Sequence, residues 1–86
     1  MTCDKEFEEL KRSVSGLSGI HKVLFAYAED LYNTLNTSPG AFVQIAGKYQ
    51  KLAVLLDDAQ HRLLVSPGEL ETYRDFLACV SKHIGG

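Results

Sequence analysis

Two copies of the tripeptide Ser-Pro-Gly, Ser38-Pro39-Gly40 and Ser66-Pro67-Gly68, divide a chain whose apolar residues otherwise recur three and four apart. Proline lacks an amide hydrogen and has a fixed φ, so it suits the first turn of a helix and ends one that runs into it. A preceding serine can accept a hydrogen bond from an unpaired amide of that turn. At the second copy Glu69 follows Ser66 by three residues, the capping-box spacing, whereas the first copy has Ala41 there. Both tripeptides predict helix starts, and the second carries the stronger signal.

Each of the three segments has its own stripe. The first runs Phe7, Leu10, Val14, Leu17, His21, Leu24, Ala28, Leu31 and Leu35, and the second Phe42, Ile45, Tyr49, Leu52, Leu56, Ala59 and Leu63. The third is Leu70, Tyr73, Leu77, Val80 and Ile84. A period near 3.5 lines these residues along one side of a helix as a seam for a neighbour. Polar–apolar alternation is not sustained anywhere, so strands are not expected. The chain reads as all-α, a single domain over residues 1–86 with helices at about 4–36, 39–64 and 67–84. Short connections make the expected architecture an antiparallel three-helix up-down-up bundle with coiled-coil-like seams.

The first segment has a weak centre, Ser13-Val14-Ser15-Gly16-Leu17-Ser18-Gly19, because each glycine costs about 1 kcal/mol relative to alanine inside a helix. Three readings stand. The helix runs on; or it breaks there, giving four helices; or the small residues admit a neighbouring helix closely. The seam keeps its phase through Val14 and Leu17, which favours continuity.

On that reading the helices span roughly 48, 39 and 26 Å, and the third is too short to cover the whole bundle. The end formed by the first helix's C-terminus and the second's N-terminus is left open. It is apolar there, with Phe25, Leu31, Leu35, Phe42, Val43 and Ile45, and with Tyr27 and Tyr32 flanking the seam. Apolar patches of several hundred Å² are uncommon on monomers, so these eight residues are the candidate interface with a protein partner or a second copy. The competing reading bends the helices until the third covers everything.

Composition narrows the function classes. The 86 residues are 45% apolar with a net charge of −2, enough for one small core and lacking the basic patch that nucleic acid demands. The acidic-rich start, Met1 to Arg12, is unlike a secretory signal, so a cytoplasmic location is expected. Cys3 and Cys79 are expected to be free thiols, because an up-down-up bundle sets them roughly 15 Å apart along the axis. His21, on the seam, is expected to be a buried histidine satisfied by a neighbour.

Cys79 and His83 have metal-compatible spacing, but structural zinc takes four ligands and no set is expected to assemble. Asp57-Asp58 and Glu29-Asp30 are adjacent acids that diverge on a helix and form no dyad. The terminal Lys82-His83-Ile84-Gly85-Gly86 reads as a helix stop. No nucleophile, phosphate-loop or metalloprotease motif occurs, so no catalytic, cofactor-binding or metal residues are assigned and no enzyme is expected. The expected function is a non-enzymatic protein–protein interaction module, a small oligomeric adaptor, chaperone or regulator. The alternative is a membrane-surface helical module.

Overall fold

The computed structural model describes residues 1–84 and contains four helices and, among those residues, no strand: α1 Asp4–Val14, α2 Ile20–Thr37, α3 Phe42–His61 and α4 Pro67–Ile84. The expected all-α class is present. The continuous first helix is not, because the chain breaks between α1 and α2. Val14 accepts from the Leu17 amide (3.0 Å), Gly16 has φ +81°, and Gly19 has φ +68° with ψ −129°. Positive φ is accessible to glycine at little steric cost, so two glycines three residues apart reverse the chain where seam phase alone predicts continuity. The residues expected to close the chain, Gly85 and Gly86, lie outside the described range.

The two Ser-Pro-Gly copies do different things. At the second, Pro67 opens α4, the Ser66 hydroxyl donates to the Glu69 carboxylate, and the Glu69 amide points back at Ser66 Oγ at 3.5 Å. At the first, Ser38 ends α2, its carbonyl accepting from the Ala41 amide (3.0 Å) in a turn, and α3 begins only at Phe42 without a side-chain cap. Glu69 is the difference: with Ala41 in its place there is no carboxylate to close a capping box. Helix α3 ends in a Schellman motif, Leu64 N–H to Ala59 O and Leu63 N–H to Gln60 O, both 3.0 Å. The left-handed residue of that motif is Leu63 (φ +59°), where glycine is usual.

Cross-helix pairs fix the topology. Tyr32 of α2 donates to Asp4 of α1, Lys48 of α3 meets Asp30 of α2 at 2.5 Å, and Arg74 of α4 donates to Gln60 of α3 at 2.9 Å. Phe7 of α1 lies 5.8 Å from Phe76 of α4. Each neighbouring pair therefore runs antiparallel, closing an up-down-up-down bundle 34 Å long. The closest packing is α2 on α3 and α1 on α4; of the antiparallel neighbours, α1 and α2 touch least.

The core follows the seams with losses at their ends. His21, Leu24, Ala28, Leu31 and Leu35 are buried, as are Ile45, Leu52, Leu56 and Ala59, and Leu70, Tyr73, Leu77 and Val80. Leu17, Phe42 and Leu63 continue the stripes in sequence but lie at or beyond the helix ends and are exposed. Phe76, off the expected seam, is fully buried because α4 meets α1 as well as α3.

Candidate functional site

The fold-back of α1 changes what the bundle presents. The end expected to stand open is covered by the start of α1: Phe7 stacks on Tyr32 at 4.1 Å and on Phe25 at 5.5 Å, and Asn36 bonds the Thr2 backbone at 2.6 and 3.1 Å. Leu31, Leu35 and Ile45 are accordingly buried in the chain's own core, which removes them from any surface the folded bundle shows. Tyr32 is held by Asp4, whose accepting carboxylate, with burial and the charges of Asp4 and Glu8, pushes the phenol up to about 12. Tyr27 is half-buried beneath the Lys51 ammonium, 5.0 Å from its ring centroid. Only Phe42 (57%) and Val43 (88%) of the eight stand well exposed, at the start of α3, and Phe25 is half-buried.

Phe25 belongs to a different feature. Because α1 leans on α4, it parts from α2 and leaves a groove of about 420 Å³ between them. Val14, Leu17, Phe25 and Ala26 make its apolar lining, with Lys11, Lys22 and Glu29 around it. Leu17, in the connection, is 41% exposed. The signal for this groove was present in the sequence as a seam leucine between two glycines, but a seam position reads as core unless the chain is known to turn there.

His21 also borders the groove and is, among the described residues, the one buried charged or strongly polar side chain. Its Nδ1 lies 3.0 Å from the Tyr73 hydroxyl and its Nε2 3.3 Å from Glu69 Oε1. A carboxylate only accepts, which places a proton on Nε2 and leaves Nδ1 of the neutral ring to accept from Tyr73. The Ser66 hydroxyl, chiefly, and the neighbouring His21 hold the Glu69 carboxyl below its usual range, against partial burial. Burial, then the Glu69 charge, pushes the Tyr73 phenol well up. This chain from Ser66 to Tyr73 satisfies the buried histidine, as its seam position predicts.

The cysteines depart from expectation most. Cys3 and Cys79 form a disulfide, Cα to Cα 6.0 Å. With α1 reversed, its N-terminus meets the C-terminal half of α4, so the axial offset calculated for an unbroken first helix does not arise. His83, one turn beyond Cys79, joins them: one ligand atom from each of the three residues lies within 4.8 Å of the others.

No described helix is long and apolar enough to cross a membrane. No protein-family model, curated protein or solved structure shows a significant match to this chain.

Proposed function

We propose that the chain is a non-enzymatic protein–protein interaction module whose contact surface is the groove between α1 and α2. The observation that carries this reading is the groove itself, a concave, mainly apolar surface left open where two helices diverge. Helix-in-groove recognition uses such a floor to take the apolar face of an amphipathic helix. Two of the three charged groups around it are lysines, Lys11 and Lys22, so the occupant is a partner helix with acids beside its apolar stripe. Masking such a helix is the work of a small adaptor, chaperone or regulator. Val43 and Phe42, exposed at the far end of the bundle, extend the same role to a second contact.

The test uses a fluorescein-labelled synthetic amphipathic helix with leucines on one face and glutamates flanking it. The expected result is saturable anisotropy with the unaltered protein, weakened by salt and lost in Ala26→Asp. Ala26 is exposed on α2, so that variant keeps its helicity by circular dichroism. Equal binding to Ala26→Asp, or none to the unaltered protein, refutes the groove as the contact surface. Flotation with anionic vesicles checks the alternative: salt-sensitive vesicle binding without peptide binding would favour a membrane-surface role.

A further inference from the structure

The cluster at Cys3, Cys79 and His83 is independent of the groove and lies at the opposite end of α1. Cys3 sits immediately before α1 with a left-handed backbone (φ +64°), and its carbonyl accepts from the Phe7 amide at 2.9 Å. That fixes the direction of its Cα–Cβ bond. Cys79 and His83 are four apart on α4, a spacing that stacks two side chains on one helix face. Two elements far apart in sequence therefore deliver two sulfurs and an imidazole to one spot, Cys3 buried, Cys79 half-buried and His83 exposed. Glu6 and Asp75, three residues after Cys3 and four before Cys79, line a groove that also includes Cys79, with Lys5 and Lys82 beside them.

A disulfide alone explains the pairing of the cysteines but gives no role to the imidazole. Two thiolates and one neutral imidazole are a soft donor set of the kind that selects zinc over the hard cations. Three protein ligands leave one coordination position, which is the arrangement of open zinc sites. With two thiolate charges and a neutral histidine, a divalent ion is neutralised, so the site needs no further charge.

We propose that Cys3, Cys79 and His83 form a redox-gated zinc site, in which metal binding and the disulfide are mutually exclusive states of the same two sulfurs. Opening takes a dithiol reductant: it gives two electrons and two protons to the S–S bond, two cysteine thiols form, and the reductant leaves as its cyclic disulfide. Zinc then displaces the proton from each thiol to solvent and forms two Zn–S bonds, and a ring nitrogen of neutral His83 donates its lone pair. Water or a carboxylate takes the fourth position. In the reverse direction, hydrogen peroxide takes two electrons from the two thiolates and two protons from solvent, leaving as two waters. The S–S bond re-forms and zinc is released.

The experiment reduces the full chain with dithiothreitol, removes the reductant under argon and titrates with cobalt(II), then zinc. Thiolate-to-cobalt charge-transfer absorbance should saturate at one ion per chain, vanish on adding zinc, and accompany release of about two protons. Oxidised protein should show none of it. His83→Gln should still form the disulfide yet bind cobalt at least about tenfold more weakly, since loss of even an outer partner of a ligand costs that much. Circular dichroism runs alongside: reduced chain should keep its helix or regain it with metal. Absence of the charge-transfer band, equal affinity in His83→Gln, equal binding by oxidised protein, or a reduced chain that stays unfolded in excess zinc would each overturn the proposal.

Discussion

Replacing both cysteines by alanine should remove a large share of the stability of this chain. The disulfide joins residues separated by 76 positions, and the chain-entropy relation for a loop of that size gives about 15 cal/mol/K, or ~4.5 kcal/mol at 298 K. A domain this long has roughly 4–13 kcal/mol in all, so the double variant is expected near the edge of folding. Native-state packing works in the same direction: Cys3 is buried beside the α1–α4 interface, and freeing it loosens the turn that starts α1. The assay is urea unfolding followed by circular dichroism, comparing the oxidised chain, the reduced chain and Cys3→Ala/Cys79→Ala. With a slope of about 1.5 kcal/mol/M, the midpoint should fall by some 3 M, and the slope should rise because an unlinked denatured chain exposes more surface. Alkylation under native, non-reducing conditions should label neither cysteine of the starting protein. Curves for oxidised chain and double variant that agree within about 0.5 kcal/mol would refute the reasoning, because the loop-entropy contribution worked out above is about 4.5 kcal/mol.

Three further outcomes follow from single groups. Tyr73→Phe leaves His21 Nδ1 buried without its hydroxyl partner, and urea unfolding should show a loss of about 1–3 kcal/mol. Leu63→Gly should stabilise: left-handed backbone costs a non-glycine residue about 1–2 kcal/mol, glycine's extra freedom returns about 0.5–1, and a side chain 90% exposed has little packing to lose. A net gain near 0.5–1 kcal/mol is expected in the same assay; a loss would mean that Leu63 is packed in solution. Tyr32 should ionise late. Between the ordinary tyrosine value near 10 and about 12 the unfolded chain gives up the proton while the folded chain holds it, so stability falls as pH rises through that window. Asp4→Ala removes the accepting oxygen, the leading cause, together with its charge, and ultraviolet absorbance should show the Tyr32 titration moving back toward 10.

Much of the fold was legible because its causes are local. The Ser66–Glu69 box needs only residues three apart, and it starts α4 where the sequence says. The seams through Leu24, Leu52 and Tyr73 needed only helical periodicity, and all three side chains are fully buried. The interface candidates were a different kind of inference. Leu31, Leu35 and Ile45 were expected at an uncovered end, an expectation that depended on the length of the first helix, and that length turned on Gly16 and Gly19. A glycine pair costs a helix only a few kcal/mol, an amount that packing elsewhere can outweigh or let stand. Continuity of the stripe through Val14 and Leu17 could not reveal which.

The sequence by itself determined that this chain is helical, where α4 begins, and which faces of α2 and α4 turn inward, because those are properties of residues within a turn or two of one another. Tertiary structure alone decided that α1 doubles back. From that single reversal come the burial of Leu31, Leu35 and Ile45 from the expected interface, the groove between α1 and α2, and the meeting of Cys3 with Cys79 and His83. The physical reason is that a reversal is chosen by the total free energy of the arrangements it permits. Phe7 packing against Phe25, Tyr32 and Phe76 is available only to the folded-back chain, and it joins residues that no local pattern connects.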